Sequence, residues 1–193
     1  VAVALSQANL SRQIDMRAAE EAPAWFFIDI QPKQIDEFLQ IAADTSGVTK
    51  ITQTPMLRGR VTAIGGRQAS DFDPQNAAAW VLRGDRALTW ASAPPAGTEI
   101  IDGVWWPANY RGAPLVSMSE EEARELGVWV VDSIAFNVLG RKLEATITSI
   151  RHVAWESFSL NFVFILSPGM LEAAPHTWMA TTHVSDDLAA DHV

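Results

Sequence analysis

Hydrophobic and polar positions alternate along the chain with two periods, which predict a mixture of strands and short helices. The segment Trp25–Ile30 is apolar, aromatic and β-prone, and it predicts a buried strand. Pro32 suits the first turn of the helix that follows, and Gly47 suits its end. Four apolar residues share one face of that helix: Ile35, Phe38, Leu39 and Ala42. Val48–Ile64 then predicts extended structure that breaks or bends at Pro55.

The middle of the chain predicts less regular structure. Gly65–Ala79 has the composition of a loop with a short helical turn, and Trp80–Leu82 predicts the start of a strand. Prolines make Ala91–Pro114 irregular, with short edge strands at most. Leu115–Met118 predicts a strand. Ser119 with Glu122 forms the sequence pattern of a capping box for a short helix that ends at Gly127.

Strand signals return toward the end of the chain. Gly140 and Arg141 predict a hairpin turn between the alternating strands Ile134–Leu139 and Lys142–Ile150. The remaining segments predict a strand, a short helix and a last strand, in the order Leu160–Leu166, Gly169–Ala174 and His176–Val184.

These elements predict an α+β fold. Two strand–helix–strand units, one near each end, can lie side by side as one mixed sheet with helices on one face. We therefore expect a discontinuous α+β lobe of residues 1–64 and 151–193. Residues 65–150 would form an inserted β-rich lobe with one small helix.

Composition excludes several classes of function. The chain has 193 residues and a net charge of −9, so it has no basic surface to neutralise nucleic-acid phosphates or to dock on an anionic membrane. The absence of cysteine excludes disulfides, thiolate catalysis and Cys-ligated zinc. Eight Trp and eight Phe accompany a single Tyr, which is an unusual aromatic content for an acidic chain.

The two ends suggest a fragment of a longer protein. Val1–Leu5 is apolar and passes directly into a helical pattern at Ala8–Glu20. We interpret Val1–Leu5 as the last turn of a preceding apolar helix, although a fraying mature N-terminus has the same pattern. The acidic segment Ser185–Val193 could be a tail or the start of another helix.

Motifs for catalysis, cofactors or metals are missing from the sequence. It contains no Walker A loop, no dinucleotide-binding glycine pattern, no nucleophile elbow and no paired histidines at metal-binding spacing. Asp29 and Glu156 are the carboxylates that interrupt apolar surroundings, and a glycosidase could use such a pair. Asp29 could equally cap a helix or pair with an arginine. We predict no catalytic, cofactor-binding or metal-binding residues.

Two aromatic groups are candidate contact surfaces for a partner or a substrate. Trp105 and Trp106 precede Pro107 and Tyr110, and adjacent residues of a strand point to opposite faces. Trp155 and Phe158 are the second group that could form such a contact surface. In both groups, packing of the core is the competing interpretation.

Two short basic clusters stand out in this acidic chain. One contains Arg58 and Arg60, and the other contains Arg83 and Arg86. They could bind an anionic group, but ion pairs with acidic loops are the more common use of such residues.

Five segments together resemble a known family. They are PMLRGRVTAIGG, WVLRGDRALTW, GVWWPANYRGAPLVSMSEEEARELGV, NVLGRKLEATITSIRHVAWESFSLNFVFILSPG and APHTWMATTHV. The resemblance is to the extracytoplasmic domain of YbbP-type ABC transporter permeases, within the FtsX-like group that includes MacB-type and Lol-type permeases. That group usually has Gly-Asp where this chain has Val131-Asp132, so we expect a differently shaped turn there.

The resemblance implies a fold and a location. It implies a MacB-like periplasmic core domain between two membrane helices, with a membrane-proximal lobe and an inserted β-rich lobe. Val1–Leu5 and Ser185–Val193 would then adjoin those helices, and both ends of the domain would emerge close together. The full protein would lie in the inner membrane with this domain in the periplasm.

The resemblance also implies a non-enzymatic role. The domain would transmit motion driven by a cytoplasmic ABC ATPase subunit and would contact a hydrophobic or lipid-like substrate or a periplasmic partner. A periplasmic lysophospholipase or thioesterase is a candidate partner, and no nucleic acid is expected. The alternative is a free-standing secreted hydrolase or carbohydrate-binding protein that uses tryptophans and paired carboxylates.

Overall fold

A computed structural model of the chain describes residues 23–155 and 159–185. The predicted helix Ala8–Glu20, the segment Val1–Leu5, residues 186–193, Glu156 and Phe158 lie outside the described residues. The helices are α1 (Ile35–Asp44), α2 (Ala79–Leu82) and α3 (Glu120–Leu126), and a 3-10 turn covers Ala69–Asp71. The strands are β1 (Trp25–Ile30), β2 (Val48–Ile64), β3 (Arg67–Gln68), β4 (Arg86–Trp90), β5 (Glu99–Gly103), β6 (Leu115–Ser119), β7 (Ser133–Val138), β8 (Arg141–His152), β9 (Phe164–Leu166) and β10 (Thr177–Val184).

The chain divides into two compact units. The larger unit consists of Thr54–Val153 and Asn161–Trp178. The smaller unit contains the described residues up to Gln53, those of the segment Ala154–Leu160, and those from Met179 onward. The divisions at residues 53/54 and 178/179 fall inside β2 and β10, so each of these strands contributes residues to both units.

The smaller unit is a short sheet with one helix. Its strands lie in the order β1, β10, β2. The Ala24 N–H donates to the Thr182 carbonyl at 2.8 Å, and the Ser185 N–H donates to the Gly47 carbonyl at 2.8 Å. Phe27 of β1 packs edge-on against Phe38 of α1, with ring centroids 4.8 Å apart. The apolar face of α1 therefore covers part of this sheet.

The larger unit is built on six strands that close on themselves. Strand β2 pairs with β4, β4 with β9, β9 with β6, β6 with β8, β8 with β7, and β7 with β2 again. The β4–β9 and β6–β8 pairs are parallel, and the other four pairs are antiparallel. Closure leaves each of the six strands paired on both sides, which removes free edges. Strands β3 and β5 add to β2 and β8 outside this closed sheet.

The interior of the closed sheet is apolar and tightly filled. Residues from all six strands alternate inward, as the period of a strand requires. Phe136 of β7 and Phe164 of β9 are fully buried and meet edge to face, with ring centroids 5.2 Å apart. Other fully buried side chains are Val61, Ile64, Leu88, Val116, Met118, Ile134 and Ile147. These contacts make the larger unit the main core of the described chain.

Most of the predicted elements are present. The mixed arrangement of strands with few helices is confirmed, as is the hairpin of β7 and β8 around Gly140. The short helical turn in the loop after β2 and the end of α3 at Gly127 also agree with the prediction. The arrangement into two strand–helix–strand units is not confirmed, because no helix lies between β9 and β10, and the insert at residues 65–150 stays a prediction. No helix in the described residues is long and apolar enough to span a bilayer.

Three local predictions are wrong. Trp80–Leu82 lies in helix α2, because the Asn76 side chain accepts from the Ala78 N–H at 2.8 Å and starts a helical turn there. Gly169–Ala174 forms turns and bends, since Gly169 has φ 120°. The predicted capping box at Ser119 does not form, because the Ser119 N–H donates to the Val163 carbonyl at 3.0 Å. Ser119 is nevertheless the residue that precedes α3.

Strands β1, β2 and β9 also correct the sequence interpretation. Strand β1 forms as predicted but is not buried: Trp25 is 57% exposed and Ile28 is 66% exposed. Strand β2 continues through Pro55, and its registered pairs with β4 begin only at Leu57, so the missing N–H of proline breaks none of them. Strand β9 is shorter than predicted and begins at Phe164.

Candidate functional site

The tryptophan pair is not in a strand, and the two rings stack on each other. The ring centroids of Trp105 and Trp106 lie 4.2 Å apart at an interplanar angle of 33°. The expectation of opposite faces is therefore wrong, because this segment has no strand geometry to alternate the side chains. Trp106 is buried and its indole N–H donates to the Ala91 carbonyl at 2.9 Å. Trp105 is half-buried, and its indole nitrogen has no hydrogen-bond partner among the described residues.

Tyr110 holds the loop that follows the tryptophans. Its N–H donates to the Pro107 carbonyl at 2.9 Å, and its hydroxyl donates to the Ala113 carbonyl at 2.7 Å. A Cβ on Gly112 would lie 2.3 Å from the Tyr110 hydroxyl oxygen, so glycine is required at this close approach. Tyr110 is thus a loop-organising residue in this structure.

A cleft of about 300 Å³ lies next to this loop. One wall is formed by Arg111, Gly112 and Pro114, and the other by the residues from Leu166 to Leu171. The walls are tied together at Leu115 and Ser167: the Leu115 N–H donates to the Ser167 hydroxyl oxygen at 3.0 Å, and the Ser167 N–H donates to the Leu115 carbonyl at 2.9 Å. This cleft is larger than the one of about 160 Å³ at the start of α3.

No sequence motif marks the residues of this cleft. Arg111 stands alone in its segment, and the sequence pattern predicts a helix at Gly169–Ala174. The parallel and antiparallel pairs of β9 place the end of that strand beside β6, which is a long-range contact that local sequence does not show. The prolines on both sides were the available hint of fixed loops.

Both basic clusters lie in the larger unit: Arg58 and Arg60 are in β2, Arg86 begins the neighbouring strand β4, and Arg83 follows helix α2. The Arg60 guanidinium forms an ion pair with Asp85 at 3.5 Å, with both side chains more than half exposed. The Arg86 guanidinium donates to the Arg83 carbonyl and lies 5.3 Å from the centroid of the Trp80 ring. Exposed pairs of this kind contribute little to stability. An anion-binding use of these four arginines stays a proposal.

Trp155 and Asp29 are the remaining candidates that the structure describes, and both are exposed. Trp155 is 39% exposed and belongs to the smaller unit. Asp29 is exposed in β1, with φ 58°. No group of three or more His, Asp or Glu side chains within the described ranges could hold a metal ion.

A charged side chain is buried in the larger unit. Arg151 is 3% exposed, and it donates to the carbonyls of Phe162 and Val163 and, at 3.4 Å, to the Ser117 hydroxyl. Burial lowers the pKa of Arg151 to about 10, and the nearby Glu122 opposes that effect. Glu122 is itself 3% exposed. The arginine therefore remains charged at neutral pH and joins β8 to the segment before β9.

A second small cleft lies at the start of α3. It has a volume of about 160 Å³ and is lined in part by Glu120, Arg124 and His152. His152 and Glu120 lie 3.7 Å apart. Because Glu120, Glu121 and Arg124 all line this cleft, it has no single sign of charge to select a ligand.

Comparisons with known proteins relate this chain to part of a permease. No family model matches the chain. Over 161 residues, or 83% of its length, the chain is 30% identical to part of a bacterial ABC transporter permease. That relative is the permease YbbP of Escherichia coli (strain K12), which is itself uncharacterized, and the match confirms the family resemblance of the sequence motifs. The chain spans 19% of the length of YbbP.

A solved structure is also similar. It is a domain from a Porphyromonas gingivalis protein that is described as a permease only provisionally. The TM-score is 0.42 at 14% sequence identity, and the match covers 86% of this chain and 70% of the solved one. We draw no conclusion about this chain from a similarity at that TM-score.

Proposed function

We propose that this chain is the extracytoplasmic domain of a membrane-embedded ABC permease subunit and that it transmits motion driven by ATP. The observation that supports this most is the similarity to YbbP over 83% of the chain. ATP hydrolysis would take place in a separate cytoplasmic ATPase subunit, and this domain would contribute no catalytic residue. Its position in the periplasm and its membrane-flanking ends belong to the same proposal.

The connections between the two units suit a transmitting role. Strands β2 and β10 each run from one unit into the other without an intervening loop. A paired strand is held by backbone hydrogen bonds, and it passes a displacement on with less loss than a flexible loop would. The closed sheet of the larger unit, with all six strands paired on both sides, would move as one body.

The contact surface for a substrate or partner is a further part of the proposal. Trp105 is the accessible member of the tryptophan pair, and Tyr110 fixes the loop beside it. A lipid-like substrate and a periplasmic lysophospholipase or thioesterase are proposals that rest on the family resemblance alone. The alternative of a secreted hydrolase is not favoured, because the relative found is a permease.

The test measures distances inside the domain of the full-length permease, assembled with its ATPase subunit. The domain contains no cysteine, so introduced cysteines are its only labelling positions. Spin labels at Lys50, in the smaller unit, and Leu139, in the larger unit, report on the two units. We expect their distance distribution to differ between the nucleotide-free and ATP-trapped states.

A matched control pair lies within one unit. Labels at Glu99 and Leu139 are both exposed and both belong to the larger unit, so their distance should stay constant. A constant distance for both pairs would contradict motion transmission. A change in the control pair alone would contradict the larger unit's behaviour as one body.

A further inference from the structure

The lining of the 300 Å³ cleft has one charged side chain, and it is a cation. Arg111 lies in a chain of net charge −9, yet no acidic side chain in the described ranges comes within ion-pair distance of it. Its Nη1 donates to the Tyr110 carbonyl at 2.8 Å. A guanidinium has five N–H donors, so the others remain able to bind an anion.

About half of the cleft's surface is apolar. Met170 and two prolines contribute to it, and the nearly buried Leu166 and Leu171 complete the lining. Met170 is 57% exposed, so its side chain is accessible to a ligand. Methionine side chains adapt easily to the shape of an apolar ligand.

Ser167 supplies a second polar group at the base of the cleft. Its hydroxyl oxygen accepts from the Leu115 N–H, which leaves the hydroxyl proton to be donated. Small-molecule sites combine apolar walls with a few such directed polar groups. A volume of about 300 Å³ suits a small ligand or one end of a longer one.

We propose that this cleft binds a small organic anion that carries a short apolar tail, of which a medium-chain carboxylate is the simplest example. Arg111 binds the anionic group, assisted by the Ser167 hydroxyl, and the tail lies against Met170 and Leu171. This binding does not depend on the transmission of motion proposed above, and it can be measured on the 193-residue chain by itself.

The experiment is an NMR titration of the isotope-labelled chain with octanoate. We expect saturable shifts of the backbone amides of Gly112, Gly169 and Met170. Octanol tests the tail without the charge, acetate tests the charge without the tail, and octyltrimethylammonium reverses the charge. Each of the three should bind at least tenfold more weakly than octanoate. Equal binding of octanol, or no saturable shift with octanoate, would overturn the proposal.

Variants separate the two halves of the site. Arg111→Gln should weaken octanoate binding roughly tenfold, because it removes a charge-assisted hydrogen bond. Met170→Ser should weaken octanoate binding without affecting the weak response to acetate. Arg141→Gln, an exposed arginine elsewhere in the larger unit, is the matched control and should bind octanoate normally. Equal effects of Arg111→Gln and Arg141→Gln would contradict the assignment, and the amide spectrum of each variant verifies its fold.

Discussion

The two units of the chain treat similar apolar sequence in opposite ways. In the larger unit, Phe136 and Phe164 are fully buried inside six strands that close on themselves. In the smaller unit, β1 carries Trp25, Phe26 and Ile28, which are 57%, 47% and 66% exposed. The difference teaches that an aromatic strand is buried by closure of the sheet around it, and that strand formation alone does not bury it.

The same contrast extends to polar groups. Ser117 and Ser149 of the larger unit are buried and hydrogen-bonded to each other at 2.8 Å, beside the buried Arg151. In the smaller unit, the side-chain hydrogen bonds of Thr45 and Thr49 are exposed to solvent. Because Ser117, Ser149 and Arg151 are buried, the loss of a hydrogen-bond partner there is expensive.

The largest effect that tests this contrast is truncation of a ring in each unit. Phe136→Ala should lower the free energy of unfolding by about 4 kcal/mol, since it leaves a cavity and removes the contact with Phe164. Phe26→Ala removes the same atoms from a half-exposed site and should cost below about 1 kcal/mol. Chemical denaturation followed by fluorescence measures both.

Equal losses in the free energy of unfolding for Phe136→Ala and Phe26→Ala would contradict the difference between the two units. A cost for Phe26→Ala near that of Phe136→Ala would mean that the apolar surface of β1 is covered in solution. A cost below 1 kcal/mol for Phe136→Ala would mean that the closed sheet can collapse around the loss. Ile41→Ala on the exposed side of α1, at 61% exposure, is a second reference in the smaller unit.

Removal of the buried charge of Arg151 tests how much a buried polar group contributes to the stability of the larger unit. Arg151→Met should cost about 3 kcal/mol, because the carbonyls of Phe162 and Val163 lose their donor and the buried Glu122 loses its compensating charge. Denaturant midpoints measure the loss. The double variant with Glu122→Gln should recover part of it, and strict additivity of the two changes would contradict the coupling.

The local sequence predicts where strands form. It does not predict which partner strands pair with them and bury them. The period of β7 and β8 and the glycine between them define a hairpin without further information. The parallel pairs β4–β9 and β6–β8 join segments distant in sequence, and nothing in a single strand specifies such a partner. The cleft at Arg111 depends on those pairs, so the local sequence does not predict it. The sequence predicts a contact surface at Trp105 and Trp106 instead.

Ser119 is a second residue at which the local sequence pattern does not predict the tertiary contact. Its spacing to Glu122 is that of a capping box, and a helix does begin there. The Ser119 N–H donates to the carbonyl of Val163, the residue before β9, so the Glu122 side chain does not accept from it. Glu122 is instead buried near Arg151. A tertiary contact has overridden a correct local pattern.

The tryptophan pair tests how far burial extends beyond the closed sheet. Trp106→Phe loses the hydrogen bond to the Ala91 carbonyl and should lower stability by about 1 kcal/mol. Trp105→Phe removes an enclosed indole N–H without a partner among the described residues and should be neutral or slightly stabilising. Thermal denaturation compares the two. A larger loss for Trp105→Phe would show that its indole is paired in solution.

The smallest expected effect concerns strain at the surface of the larger unit. The Asp132 N–H donates to the Trp129 carbonyl at 3.2 Å, which closes a turn in which Val131 has φ 78° and is 81% exposed. That φ favours glycine, and a β-branched residue there is strained. Val131→Gly should raise the free energy of unfolding by about 0.5 to 1 kcal/mol, because relief of strain outweighs the greater flexibility of glycine in the unfolded chain. Val104→Gly is the control, because Val104 is similarly exposed but does not have a positive φ, and this change should be destabilising. Destabilisation by both changes would show that Val131 has contacts in solution that outweigh its strain.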